Sequence, residues 1–331
     1  MKSNAGFVRW MRAALLALPA LLFLAGCEGS GVNVAGGGTG GTGISAGVIT
    51  GKGSVIVNGV TFEVTDNTFI RLNDIPASEA ALQVGMTVKI QGTFDETGST
   101  GTAFGIEAEN DVRGMISALD PGAGSFSVLE QTIFVDNQTV FSGGGGLGDL
   151  QPNHVVRVFG FRDALENLRA TFVERLSESG GEEVSGIVSE KDVVPGTFRL
   201  GFLKVDYVTR TPGIEPAGFE FNDGDPVEVE GVFNAVTGML EAEEIEREDI
   251  EDAAFVPREG ERAEVEGFTS GVTENPPGIF TLAVDGFPVR TGAGISYEGG
   301  NPADLRDNVR VEAEGRIDAN GVLVAEKIEF E

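Results

Sequence analysis

One block of about 70 residues occurs four times in this chain, and a repeat of that length is typical of an array of small similar modules. Each copy contains a Val-x-apolar-x-Gly segment and, further along, an alanine followed by Ile or Val three residues later. The closing glycines are Gly92, Gly160, Gly231 and Gly315, and the alanines are Ala103, Ala170, Ala242 and Ala325. Function therefore has to be sought in each module and in the residues that differ between modules.

Every copy also contains two pairs of alternating apolar residues separated by a constant four-residue gap. The pairs that follow the gap are Phe62/Val64, Ile133/Val135, Val205/Tyr207 and Phe287/Val289. Alternation with a period of two is typical of half-buried strands. In the first copy the gap holds Asn58-Gly59, a combination that favours a tight hairpin turn. The pattern predicts one β-hairpin per copy.

The second half of each copy has an apolar anchor and, three residues later, a residue that is always Gly or Asn. The anchors are Leu82, Leu150, Phe221 and Leu305, and the second set is Gly85, Asn153, Gly224 and Asn308. Gly and Asn tolerate the left-handed backbone region best, so we expect a positive φ there. The closing glycine of the next strand is a candidate for a β-bulge or a barrel corner.

Counting these segments gives five strands per copy, with room for one short helical turn at 78–82 in the first copy. We therefore expect an all-β protein, a tandem array of four small five-stranded barrels that resemble oligonucleotide/oligosaccharide-binding (OB) barrels. SH3-like barrels or small β-sandwiches are the alternatives. The predicted segments are a signal peptide at 1–26, a Gly-rich tether at 27–46, repeats at 47–110, 111–177, 184–248 and 264–331, and an acidic linker at 249–263.

The N-terminal segment predicts export and lipidation. Lys2, Arg9 and Arg12 precede an apolar stretch that is too short to span a membrane. It ends in Leu24-Ala25-Gly26-Cys27, which resembles the bacterial lipobox. That resemblance implies diacylation of Cys27, cleavage before it and a lipid anchor in the cell envelope. Glu28 differs from the Asp that resembles an inner-membrane retention signal, so the outer membrane is favoured.

The stretch from Gly41 to Phe62 resembles the opening of the bacterial domain-of-unknown-function family 5666. The residues that carry the resemblance are Gly-Thr-Gly-Ile-Ser-x-Gly-Val-Ile-Thr-Gly-x-Gly-Ser-Val-x-Val-Asn-Gly-Val-x-Phe. Later copies match through the hairpin and the Val-x-Val-x-Gly strand. The resemblance implies tandem repeats in an exported protein, often behind a lipobox, and it supplies no catalytic residues.

The charge balance disfavours two classes of partner. The chain has 52 acidic and 23 basic residues, for a net charge of −29. Such a protein is repelled by nucleic acids and by anionic lipid headgroups, and the strand residues Glu228, Glu230, Glu312 and Glu314 are themselves acidic. Divalent cations or cationic partners are compatible with the charge. The one cysteine excludes an intramolecular disulfide.

Candidate catalytic or metal-binding residues are few. His154, the single histidine, follows the predicted turn residue Asn153 and is expected to be an exposed loop residue. The densest acidic run, 241–252, is expected to be a solvated face, with calcium binding as the alternative. The segment Asp318-x-Asn320-Gly321 predicts a turn, and Asn137-x-Thr139 matches a glycosylation acceptor by coincidence. Paired carboxylates could serve a glycoside hydrolase, but no spacing singles out a pair.

These observations favour a lipid-anchored, non-enzymatic binding or structural-spacer protein with no catalytic residue and no cofactor. Its expected partners are a membrane, through Cys27, and an envelope protein or glycan. The alternative is a calcium- or carbohydrate-binding, adhesin-like surface protein. An envelope hydrolase that uses two carboxylates is the third hypothesis.

Overall fold

The computed structural model describes residues 41–177, 180–247 and 257–331 of the chain. Within these ranges the regular elements are β-strands and three short 3-10 turns, so the predicted all-β class is confirmed. None of the described helical turns is long and apolar enough to cross a membrane. The predicted signal peptide, Cys27 and residues 28–40 of the predicted tether lie outside the described residues.

The strands fall into four consecutive sets, which we call modules 1 to 4. Module 1 contains β1 (Thr42–Gly51), β2 (Val55–Val57), β3 (Val60–Glu63), β4 (Phe69–Leu72), β5 (Ile75–Pro76), β6 (Thr87–Phe94) and β7 (Thr100–Ala108). Module 2 contains β8 (Val112–Asp120), β9 (Ser125–Val128), β10 (Gln131–Phe134), β11 (Val140–Phe141), β12 (Val155–Arg162) and β13 (Leu168–Leu176). Module 3 contains β14 (Glu182–Asp192), β15 (Thr197–Leu200), β16 (Leu203–Asp206), β17 (Gly213–Glu215), β18 (Pro226–Asn234) and β19 (Met239–Arg247). Module 4 contains β20 (Arg262–Glu274), β21 (Phe280–Val284), β22 (Phe287–Glu298), β23 (Arg310–Ile317) and β24 (Leu323–Phe330).

The strand pairings of module 1 close a five-stranded barrel. β1 pairs with β2, β2 with β3, and β3 runs parallel to β7. β7 pairs with β6, and β6 returns to β1. The same cyclic order of pairings recurs as β8-β9-β10-β13-β12, β14-β15-β16-β19-β18 and β20-β21-β22-β24-β23. The fourfold sequence repeat therefore corresponds to a repeated topology.

The predicted hairpins and the short helical turn are present. The first hairpin turns at Asn58 and Gly59, with φ of 51° and 72°, and the last turns at Asp285 and Gly286, with φ of 46° and 78°. Positive φ at both central residues matches the right-handed twist of the flanking strands. The helical turns lie just before the anchor leucines, at Glu79–Ala81, Leu147–Asp149 and Pro302–Asp304.

The two repeated backbone predictions are also confirmed. The Gly/Asn position has a positive φ in every module, with values of 97°, 71°, 98° and 64° at Gly85, Asn153, Gly224 and Asn308. The closing glycine follows a register shift, or bulge, between the fourth and fifth barrel strands of every module. A Cβ at Gly231 would lie 2.3 Å from the Glu241 carbonyl oxygen. Glycine is required there because the neighbouring backbone comes too close for a side chain.

Two features differ from the sequence prediction. β1 begins at Thr42, so residues 42–46 of the predicted tether lie in a strand that pairs with β6 and β20. The glycine content of this stretch hides the alternation of Ile44 and Ala46 that makes it a strand.

The loose segment predicted after each hairpin contains the short strands β4, β11 and β17, which extend the parallel pairing with the last barrel strand.

The modules share strand pairings and side-chain packing. β1 of module 1 runs parallel to β20 of module 4, and β8 of module 2 pairs with β14 of module 3. Phe159 and Phe172 of module 2 belong to the hydrophobic core of module 1, and their rings meet edge to face at 5.9 Å. The described modules thus form one compact unit.

Candidate functional site: a cavity between three modules

The residues singled out in the sequence do not come together in one place. His154 lies in the turn before β12, where its Nδ1 accepts a hydrogen bond from the Gln151 amide at 3.2 Å. Within the acidic run, Glu241 and Glu243 both pair with Arg210, at 2.9 and 2.8 Å. Cys27 and residues 248–252 of the run lie outside the described residues.

The Asp318 and Asn137 segments are turns. The Asp318 carboxylate accepts the Asn320 and Val322 amides at 2.8 and 3.1 Å, and these hydrogen bonds lower the pKa of Asp318. Asn137 lies between Asp136 and Gln138 in the exposed loop after β10. The predicted turn at Asp318 is thus present, and the Asp318 carboxylate caps it.

A cavity of about 590 Å³ lies where modules 1, 2 and 4 meet. Module 1 contributes residues from β1 and from the turn between β2 and β3. Module 2 contributes residues around β10, β11 and β13, and module 4 contributes β20, β23 and Glu331. The walls combine apolar side chains with two guanidiniums and several carboxylates, a composition typical of small-ligand sites. We call it the inter-module cavity.

Arg310 ties the cavity walls of modules 2 and 4 together. Its Nε and Nη2 donate to Glu266 Oε1 at 3.0 and 2.5 Å. Its Nη1 donates to Gln138 Oε1 of module 2 at 3.0 Å, and its guanidinium lies 5.4 Å from the centroid of Phe161. Glu266 in turn accepts the Val48 amide of module 1 at 3.0 Å. One ion pair therefore connects three modules.

Arg169, another residue of the cavity lining, is held in a similar way. Its Nε and Nη2 donate to Asp163 Oδ2 at 3.0 and 2.9 Å. Its guanidinium lies 4.4 Å from the centroid of Phe134 and 5.9 Å from that of Phe268. Cation–π contacts and an ion pair fix both arginines in place. The guanidiniums therefore act as rigid walls with their charges already neutralised.

Glu312 is the least compensated carboxyl group in the cavity. Its residue is 8% exposed. Burial, together with the neighbouring Glu264 carboxylate, raises the pKa of Glu312 to about 8. The positive charge of Lys327 acts in the opposite direction without reversing the shift. Glu312 is consequently protonated in much of the population near neutral pH.

Asn58 supplies an unpaired acceptor at the same cavity. Its Nδ2 donates to Ser45 Oγ at 3.1 Å and to the Ala46 carbonyl at 3.0 Å, which fixes the orientation of the amide. Its Oδ1 is buried and has no hydrogen-bond partner among the described residues. A Cβ at Gly47 would lie 2.3 Å from this oxygen, so glycine at that position makes room for it. A buried acceptor without a partner costs free energy until a donor reaches it.

Sequence reasoning missed this cavity because its residues come from three repeats. Arg310 and Gln138, for instance, are 172 positions apart. The sequence signal is a change of charge, since the counterparts of Glu312 are Lys89, Arg157 and Glu228 in modules 1, 2 and 3. A change of charge sign at equivalent strand positions indicates that the outer surfaces of the modules differ.

The closed barrel and its repetition define the chain as an all-β repeat protein. Residues 44–107, 113–174 and 270–329 match the family model described as Domain of unknown function (DUF5666). These matches cover more than half of the chain, and the chain belongs to this family. The matched segments lie in modules 1, 2 and 4, while module 3 has the same order of strand pairing without a match.

Comparisons with curated proteins and with solved structures identify no further relationship. A search of curated proteins found no match. A solved structure titled drosophila Unr CSD456 is similar at 15% sequence identity, over 66% of this chain and 96% of that chain, with a TM-score of 0.18. A TM-score of this size does not indicate a common fold, and nothing about function follows from it.

Proposed function

We propose that this protein is a non-enzymatic binding protein of the bacterial cell envelope, built from four OB-like barrels and anchored by a lipid on Cys27. The order of the five barrel strands, with the third parallel to the fifth, supports the OB-like assignment. The lipobox-like Leu24-Ala25-Gly26-Cys27 supports the anchor. The inter-module cavity is the observation that supports binding.

The chemical class of the ligand is inferred from two polar groups of the cavity, a hydrogen-bond acceptor without a donor and a buried carboxyl group. The Asn58 Oδ1 needs a hydrogen-bond donor, and the buried Glu312 carboxyl group would gain most from a positive charge. Apolar side chains such as Val84, Val140 and Phe268 line the same space. We therefore propose a small ligand with an apolar body and a protonated amine.

Carbohydrates fit this site less well. Sugars stack on exposed aromatic faces, but a guanidinium lies over Phe134 and another lies near Phe161. The mature chain also has no tryptophan if cleavage occurs before Cys27, because Trp10 is the single one. An amine that pairs with Glu312 makes better use of the walls than a neutral sugar does.

The proposal is tested with three probes of similar size and shape: phenethylamine, phenethyl alcohol and hydrocinnamate. Calorimetric titration of the wild-type protein should show saturable binding of the amine and much weaker binding of the alcohol and the carboxylate. The amine must be bound by ionised Glu312, so affinity should rise by up to tenfold per pH unit between about pH 6 and pH 8.

Variants locate the site. Glu312→Gln should weaken amine binding at least tenfold, whereas Glu326→Gln, an exposed residue of β24 in the same module, should leave it unchanged. Equal binding of all three probes, or equal loss in both variants, would refute the amine site. Binding of methyl glucoside alone would favour the carbohydrate alternative. A Cys27→Ala variant that still partitions with membranes would refute the lipid anchor.

A further inference from the structure

A second polar site lies where module 3 meets modules 1 and 2. Glu183 of β14 and Glu228 and Glu230 of β18 bring one carboxylate oxygen each to within 4.8 Å of one another. We call these three residues the carboxylate triad. Glu230 lies directly opposite Glu183 in the pairing of β14 with β18, so all three side chains are on the outer face of the barrel.

The triad is held by residues from the link between modules 1 and 2. Asn110, which is 1% exposed, donates from Nδ2 to Glu183 Oε1 at 2.6 Å. The Asn110 Oδ1 accepts a hydrogen bond from Asn73 Nδ2, and its backbone amide donates to Asn73 Oδ1 at 3.2 Å. The buried end of the triad is therefore positioned before any ligand arrives.

One guanidinium partly neutralises the triad. Arg113 Nη2 lies 2.9 Å from Glu183 Oε2 and 3.6 Å from Glu230 Oε1. Arg113 Nε is bound to the Gly181 carbonyl at 2.9 Å, which holds the guanidinium at the Glu183–Glu230 edge. Arg113 thus balances the charge of one of the three carboxylates.

Ser185 is a second, independent indication of a ligand site. The residue is 3% exposed, and its Oγ has no hydrogen-bond partner within the described part of the chain. Ser185 is two residues after Glu183 on the same face of β14 and directly opposite Glu228 on β18. Opposite residues of an antiparallel pair have Cβ atoms about 5 Å apart. Ser185 therefore lies on the same face of the strand pair as the triad, next to Glu228.

We propose that Glu183, Glu228, Glu230 and the Ser185 hydroxyl bind one divalent cation of the calcium class. Calcium takes oxygen ligands at about 2.3 to 2.6 Å and tolerates irregular coordination, and carboxylate oxygens that all lie within 4.8 Å of one another are close enough to share one such ion. Magnesium keeps several waters and is usually held by one or two carboxylates, so a site of three carboxylates and a hydroxyl suits it less well. Water completes the coordination on the exposed side at Glu230. Because Asn110 joins the site to module 1, the cation fastens module 3 to the rest of the molecule.

The test is calorimetric titration of the chelator-treated full chain with calcium chloride at constant ionic strength. The expected result is saturable binding of one calcium ion, with a rise in melting temperature and weaker binding of magnesium. Glu230→Gln, at an exposed position, should weaken calcium binding at least tenfold, and Ser185→Ala should weaken it less. The matched control is Glu243→Gln, which removes one exposed charge of the Arg210 cluster and should leave binding unchanged.

The absence of saturable calcium binding in the wild-type protein would overturn the proposal. Calcium binding that is equally strong in Glu230→Gln, Glu228→Gln and the wild type would also overturn it, since the ion would then lie elsewhere. Glu312→Gln should retain full calcium binding, so the calcium site and the proposed amine site are tested independently.

Discussion

Replacement of Glu312 by Gln should change how stability depends on pH. Burial raises the pKa of Glu312 from 4.5 to about 8 in the folded protein. The folded state therefore holds this proton more tightly than the unfolded state does. The resulting stability is fully present below about pH 4.5 and is lost as pH rises through about 8. Each pKa unit is worth 1.36 kcal/mol, so the full shift corresponds to an upper value of about 5 kcal/mol.

The assay is urea denaturation of the wild type and of Glu312→Gln at several pH values between about 5 and 8. Tyr297 packs against the core of module 4, so its fluorescence in a Tyr207→Phe background reports the module that contains Glu312. Over this range the variant should gain about 1.4 kcal/mol of stability per pH unit relative to the wild type. Tracking the difference between the two proteins removes the general effect of the high net charge.

Parallel pH profiles for the two proteins would refute the reasoning, because they would show that Glu312 has the same proton affinity in both states. A variant that loses stability relative to the wild type as pH rises would refute it more strongly. That outcome would mean that the ionised carboxylate is stabilised in the cavity.

Two further predictions concern packing. Gly231→Ala places a Cβ 2.3 Å from the Glu241 carbonyl oxygen and should lower the free energy of unfolding, measured by urea denaturation, by about 3 kcal/mol. The control, Gly148→Ala, has no atom within 4 Å of the new Cβ and should be nearly neutral. Similar losses of stability at both positions would contradict the bulge argument. Phe159→Ala removes a module 2 ring from the core of module 1 and should cost about 3 to 5 kcal/mol. Hydrogen exchange should then increase in both modules, and an increase confined to module 2 would argue against the shared core.

The features that the sequence predicts correctly are those that depend on local backbone geometry. The hairpin turn at Asn58-Gly59, the positive φ at Asn153 and the bulge at Gly160 each depend on a few neighbouring residues, and each recurs in every copy. Because these turn, positive-φ and bulge positions recur four times, they can be identified from a single sequence. The length of β1 was underestimated because its glycines obscure the alternation of apolar residues.

The arrangement of the modules could not be predicted in the same way. Pairing of β1 with β20 joins residues about 219 positions apart, and no local pattern specifies that contact. The inter-module cavity and the carboxylate triad both arise from such contacts. The sequence shows the charge of strand residues such as Glu228 and Glu312, but the residues that surround them are known only from the arrangement of the modules.

The central claim is that function depends on surfaces between modules and not on any single barrel. Hydrogen–deuterium exchange with and without phenethylamine, at a concentration close to its Kd for the wild type, tests this claim most directly. The account predicts slower exchange around Val48, Asn58, Gln138 and Glu312, in three modules at once, with no change in Glu312→Gln. Protection confined to the loops of one module, or protection that persists in the variant, would contradict it.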